Sequence, residues 1–259
     1  MEKIWQAVER ARATPGASKP QGYAQAPSIF GSQVEAVEID PLFLLSKRIV
    51  SASASEQARS YDMLRTQVLR AMEQHGWKTL GVSSPTPACG KTLTAINLAF
   101  SIARQENQSI VLADLDLRKP QIAAYLGLRC PDRGVLDVLE EKISPQRATI
   151  SVCAAEHQIA VLPTAGTKES SERMTSRAMR NLLQDLKKAY QTVVLDLPPM
   201  LSSDDVISIL PQVDCVLLVV AVGRSKTSEV EEAMRYLEST PLVRLVLNKA
   251  DEEAAKYYY

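Results

Sequence analysis

The chain has 259 residues, enough for one large α/β domain plus a short appendage, and its 30 Lys and Arg balance 30 Asp and Glu. That balance leaves no basic footprint for nucleic acid, and no apolar run approaches the roughly 18–20 residues that cross a bilayer. The four cysteines (Cys89, Cys130, Cys153 and Cys215) have no CxxC spacing and there are only two histidines, which argues against zinc. The N-terminal stretch lacks a secretory leader's apolar segment, so the expectation is a soluble intracellular protein with reduced thiols.

Residues 1–15 read as a short helix, with Ile4, Trp5, Val8 and Ala11 at helical spacing; it could pack on its own domain or dock on a partner or membrane. From Thr14 to Ser32 the Pro, Gly, Ser, Ala and Gln content describes a flexible linker. Val34–Leu45 is apolar enough to lie along the domain's edge. The expected organisation is therefore an appendage over 1–50, a main domain over 51–250 and a tail over 251–259.

A helix is predicted from Glu56 to Gln74, with Tyr61, Leu64, Val68, Leu69 and Met72 on one face and Gly76 as its stop. Lys78–Ser83 is the strand before a tight loop that ends in Gly90-Lys91-Thr92, and a helix follows to about Arg104. Strand, loop and helix opening with Gly-Lys-Thr form a phosphate-binding layout, in which backbone N–H groups and a lysine meet phosphates and the threonine binds Mg²⁺. Pro85 stands where the usual first glycine would be.

Further strands are predicted at Ser109–Ala113, Ile159–Pro163, Thr192–Leu197, Val213–Val222 and Leu242–Leu247. Helices are predicted near Pro120, Val135–Glu141, Ser171–Ala189 and Ser228–Leu237. This alternation gives a P-loop NTPase fold, a mostly parallel sheet with helices on both faces. Asp114, Asp116 and Asp196 then fall at strand ends on the loop's edge of the sheet, where carboxylates can hold Mg²⁺ while Lys91 offsets phosphate charge. At the C-terminus, Tyr257, Tyr258 and Tyr259 follow a charged stretch; they could pack on their own surface or accept phosphate.

SPTPACGKT at Ser84–Thr92, IVLADLDLRKP at Ile110–Pro120 and VVLDLPP at Val193–Pro199 together resemble the Walker A, A′ and B set of the bacterial tyrosine kinases. These are P-loop autokinases of polysaccharide synthesis and export, within the ParA/MinD-like superfamily. The likeness runs over about Glu56–Tyr259, and the N-terminal helix with its linker is similar to the soluble autokinases of exosortase-associated exopolysaccharide clusters. The resemblance implies ATP and Mg²⁺ held by the loop residues Pro87, Ala88, Cys89, Gly90, Lys91, Thr92 and Leu93, with Asn248 near the base. It implies Lys91, Asp114 and Asp116 as catalytic, with Asp114 the base for tyrosine, and Thr92, Asp114 and Asp196 at the metal. It implies Tyr257, Tyr258 and Tyr259 phosphorylated in trans within a homo-oligomer whose interface includes Arg59, Asp62 and Arg65, besides protein tyrosine substrates. A separate inner-membrane polysaccharide chain-length (co-polymerase) partner would activate a cytoplasmic, membrane-peripheral kinase.

The chain departs from that family at Ala88, usually glycine, at Leu93, often a hydroxyl residue, and at Arg59 and Asp62, where the family carries Glu and Arg. Two other readings share the fold: a positioning ATPase of the ParA/MinD type, whose second loop lysine is replaced here by Thr86, and a nucleotide-binding regulatory scaffold.

Overall fold

The computed structural model describes residues 35–52, 55–128 and 133–250. The N-terminal helix and linker, Cys130 and the three terminal tyrosines lie outside the described residues. In chain order the elements are β1 (Glu35–Glu38), α1 (Pro41–Ser46), α2 (Arg59–His75), β2 (Thr79–Ser83), α3 (Lys91–Ala103), β3 (Ile110–Asp114), α4 (Ile122–Tyr125) and α5 (Val135–Leu139). Then come α6 (Pro145–Ala148), β4 (Ile150–Ala154), β5 (His157–Leu162), α7 (Ser170–Thr175), α8 (Arg177–Ala189) and β6 (Thr192–Asp196). The chain closes with α9 (Asp205–Ile209), β7 (Cys215–Ala221), α10 (Thr227–Tyr236) and β8 (Leu242–Asn248).

The strands form one eight-stranded sheet in the order β1-β4-β5-β3-β6-β2-β7-β8. Every neighbouring pair is parallel except β4 with β5. The central strands β2, β3, β6 and β7 are buried throughout, as expected of near-continuous apolar runs covered on both faces. One core lies between the sheet and α1, α2 and α3, and includes Leu44, Phe100 and Leu112. The other lies under α5, α8 and α9, with Leu183, Leu186 and Ile209. Burying each such side chain contributes about 1.5–3 kcal/mol.

Three expectations need correction. The predicted helix over Ser171–Ala189 is two helices, because Ser176 adopts an extended conformation and its Oγ accepts the Met179 N–H at 3.0 Å, capping α8. The sheet holds an antiparallel strand, β4, that the sequence reading did not identify. The boundary at residue 50 falls inside the domain: β1 pairs with β4, and Leu44 and Ile49 are buried. Asn97 of α3 binds that segment directly, accepting the Val50 and Ser51 N–H groups and donating to the Arg48 carbonyl. The described part of the segment expected along the domain's edge does lie there, with β1 (Glu35–Glu38) as the edge strand of the sheet. No helix among the described residues is long and apolar enough to cross a membrane.

Candidate active site

Parallel pairing carries the ends of β2, β3 and β6 to one edge of the sheet. There Asp114 stands opposite Asp196 in the β3–β6 register, and Val82 stands opposite Asp196 in β2–β6. The loop Ser84–Gly90 leaves β2 at this edge and is strapped to the segment after β6. Met200 and Leu201 donate to the carbonyls of Ser84 and Pro85, and Ser83 Oγ donates to the Pro198 carbonyl at 2.7 Å.

The loop turns through two left-handed residues, Ala88 (φ 63°) and Gly90 (φ 98°). A Cβ at Gly90 would collide with the Asn248 amide, which explains glycine there. Ala88 adopts the same class of conformation with a side chain, at a cost of about 1–2 kcal/mol. From the end of β8, Asn248 Nδ2 donates to the Cys89 carbonyl at 2.9 Å and Lys249 Nζ donates to the Ala88 carbonyl at 2.9 Å. Asn248, expected near the nucleotide base, thus supports the loop backbone from outside the cavity. Cys89 is buried with its Sγ 3.4 Å from Ser225 Oγ; burial pushes its thiol up, but hydrogen bonds with Ser225 and Thr86 outweigh this and hold it below the ordinary value.

After the loop, α3 begins without any side-chain cap, so its first N–H groups and the positive end of its dipole remain for an anion. They face a cavity of about 520 Å³ lined by Pro87, Ala88, Gly90, Lys91, Thr92 and Leu93 from the loop and by Asp116 from the segment after β3. Cys89, counted with the loop residues in the sequence reading, turns inward instead.

Lys91 Nζ lies 2.9 Å from Asp116 Oδ2 and 3.2 Å from Asp196 Oδ1. Thr92 Oγ1 donates to Asp196 Oδ2 at 2.6 Å. Burial alone would lower the Lys91 ammonium, but Asp196 and Asp116 outweigh it and raise it above its usual value. Burial raises the Asp196 carboxyl, opposed by Lys91 and Thr92.

Asp114 is placed differently from its expected role as base and metal ligand. It is 1% exposed, its Oδ1 accepts the Asp116 N–H, and its Oδ2 accepts the Gln121 and Ile122 N–H groups. Burial and the nearby Asp196 push its pKa up to about 7 against those hydrogen bonds and Lys91. It therefore orders the 116–122 segment, while Asp116 is the aspartate that lines the cavity and touches Lys91.

The cavity also takes in Arg118, Lys119, Gln121 and Tyr125, and Pro198, Pro199, Ser202 and Ser203. Of these, Arg118, Lys119, Pro198 and Pro199 belong to the sequence motifs, which carry no site role for them. The three residues expected at an oligomer interface divide: Arg59 is exposed, whereas Asp62 and Arg65 form an intrachain network with Ser101 and Arg104.

The residues fit a Mg²⁺-nucleotide. The uncapped helix start and Lys91 suit phosphates, and the Thr92–Asp196 pair suits a Mg²⁺ that takes few protein ligands and the rest from phosphate and water. Among the described residues no three His, Cys, Asp or Glu side chains form a metal cluster by themselves.

An AAA domain family matches residues 78–240, well over half of the chain. The putative tyrosine-protein kinase EpsB of Ralstonia nicotianae is 27% identical over 228 residues, covering 84% of this chain and 28% of EpsB. The chain therefore spans little more than a quarter of that relative's length. The tyrosine-protein kinase YwqD of Bacillus subtilis is 27% identical over 209 residues, covering 79% of this chain and 86% of YwqD. The solved VpsO kinase domain superposes with a TM-score of 0.69 at 27% identity, covering 81% of this chain and 99% of that one. With these tyrosine-kinase relatives and a phosphate loop, strand-end aspartates and parallel sheet in place, the chain belongs to the AAA domain family.

Proposed function

We propose that this chain is an ATP-dependent protein-tyrosine autokinase that phosphorylates Tyr257, Tyr258 and Tyr259 of a neighbouring copy, in exopolysaccharide synthesis and export. The observation that carries this reading is the meeting of Lys91, Thr92 and Asp116 at one cavity beside an uncapped helix start, with buried Asp196 bonded to Lys91 and Thr92 behind them. The names of EpsB and YwqD support the acceptor being tyrosine.

In this reading the α3 N-terminus and Lys91 bind the β- and γ-phosphates, and Lys91 leaves its carboxylate partners to do so. Thr92 and Asp196 would hold Mg²⁺, which would supply charge neutralisation for the phosphates during transfer. Asp116 accepts the proton of the incoming phenol as that oxygen bonds the γ-phosphorus and the bond to the β–γ bridging oxygen breaks. Asp114 keeps Asp116 in place. Residues 1–34 serve as appendage and linker, and 251–259 as the acceptor tail. The kinase works at the cytoplasmic face of the inner membrane, recruited and activated by a separate membrane protein of polysaccharide chain-length control.

Incubation with γ-labelled ATP and Mg²⁺, alone and with the cytoplasmic segment of the candidate activator, tests this. Label on phosphotyrosine is expected. Release of label only to water would replace the kinase by a positioning ATPase, and binding without turnover would replace it by a scaffold.

A further inference from the structure

Arg118 stands two residues beyond Asp116 and lines the same cavity as Lys91 and Thr92. Its side chain is 45% exposed against 10% for Lys91, so the lysine marks the cavity's depth and the arginine its rim. The guanidinium is nonetheless anchored from behind. Nε donates to Asp205 Oδ2 at 2.7 Å and to Ser170 Oγ at 2.8 Å, and Nη2 donates to Asp205 Oδ1 at 3.3 Å and to Ser171 Oγ at 3.4 Å.

Asp205, the first residue of α9, has no exposed surface. It also accepts hydrogen bonds from Ser170 Oγ at 2.8 Å and from Ser171 Oγ, both at the start of α7. Burial would raise its carboxyl, but the Arg118, Ser171 and Ser170 hydrogen bonds outweigh this and keep it ionised below the usual range. A surface ion pair that served stability alone would contribute little and would need no buried carboxylate with four donor contacts. The two-point contact fixes the plane and direction of the guanidinium and leaves Nη1 without a partner among the described residues. Lys119 next to it is exposed and has no ion pair among the described residues.

We infer that Asp205 is a positioning residue that holds Arg118 at the cavity rim as the anion-reading group for the acceptor segment, so that the preferred substrate is a tyrosine with acidic residues about four to six positions before it. The inference rests on the kinase reading of the cavity. Buried Lys91 and the α3 start already supply the charge for ATP, so a rim cation is left for whatever enters second. The chain's own acceptor has that chemistry, since Asp251, Glu252 and Glu253 precede Tyr257 by four to six residues.

The test uses the full-length chain as enzyme and a ¹⁵N-labelled Lys91→Met chain as a mass-distinguishable acceptor. Arg118→Ala is expected to raise the acceptor KM about tenfold, with kcat and the ATP KM held within about twofold. Asp205→Asn moves the acceptor KM the same way, Asp205→Glu restores it in part, and Arg118→Ala adds nothing to Asp205→Asn. Ser171→Ala, a gentler change in case Asp205→Asn fails to fold, raises the acceptor KM about two- to threefold. Neutralising Asp251, Glu252 and Glu253 in the acceptor raises KM for the unmodified enzyme and leaves it unchanged for the Arg118→Ala enzyme. An acceptor KM indifferent to Arg118→Ala, with transfer to tyrosine intact, overturns this inference alone. Absence of tyrosine transfer by the unmodified enzyme overturns the kinase reading and this inference with it.

Discussion

Lys91 Nζ sits 2.9 Å from Asp116 Oδ2, so the lysine that would hold ATP is already clasped by the carboxylate that would take the tyrosine's proton. Nucleotide must replace this contact with its own phosphates. Asp116→Asn would remove both the competing carboxylate and the proposed base. The expected outcome is a loss of about 10²-fold or more in tyrosine phosphorylation rate, with ATP affinity unchanged or up to about threefold tighter. Rapid-quench rates and calorimetric ATP titration check it; an unaltered rate would remove Asp116 from proton transfer.

Ala88 holds a left-handed conformation where its β-carbon is unfavourable. Ala88→Gly should therefore cost no stability and gain up to about 1 kcal/mol, whereas Ala88→Val should lose about 1–2 kcal/mol. Denaturant melts of the three proteins measure the order Gly ≥ Ala > Val, and a stabilising valine would refute it.

Asp62 is an internal crosslink between α2 and α3. Both its oxygens pair with the Arg104 guanidinium at 3.1 Å, and Ser101 Oγ and Arg65 Nη1 reach it at 2.6 and 3.2 Å. Asp62→Ala should destabilise the fold by about 2 kcal/mol, discounted for an anion that is a quarter exposed. Because the network lies within one chain, this loss should stay constant over a hundredfold range of protein concentration. A loss that grows on dilution would place Asp62 in a subunit contact instead.

Asp214 closes the far end of the sheet, accepting the Lys78 and Thr79 N–H groups at 2.9 and 2.8 Å and pairing with Lys187 Nζ at 2.8 Å. Burial pushes its carboxyl up, but Lys187 and the two N–H groups prevail and hold it below the unfolded value. The unfolded chain then binds more protons near that value, so the stability from Asp214 is present above the ordinary carboxylate pKa and is lost as pH falls through the native one. Asp214→Asn should cost about 1–2 kcal/mol near pH 7, shrinking as pH drops below about 4. Melts of both proteins across that range decide it, and a pH-independent difference would contradict the ionised contact.

The core strands and the loop were legible because apolar runs ending in aspartate and the Gly90-Lys91-Thr92 signal are local in sequence. Ser176 was not, since apolar spacing continues from Met174 to Met179 across the break and only a cap reveals it. Strand β4 escaped because Ser151 and Cys153 interrupt its apolar residues, and its hairpin turns through Ala155 at a positive φ, with no glycine to announce it. Asp114 and Asp116 read alike from sequence, and the backbone between them decides which is a cap and which faces the cavity. Asp205 had no local signal for its role, because Arg118 is 87 residues away.

The most direct test of the central claim is intact-mass spectrometry with tail peptide mapping after incubation with ATP and Mg²⁺, comparing the unmodified chain with Lys91→Met. Phosphate on Tyr257, Tyr258 or Tyr259 of the unmodified chain, and none on the variant, is the predicted result. A tail that stays unmodified even with the membrane activator present would contradict it and leave a nucleotide-binding protein without kinase function.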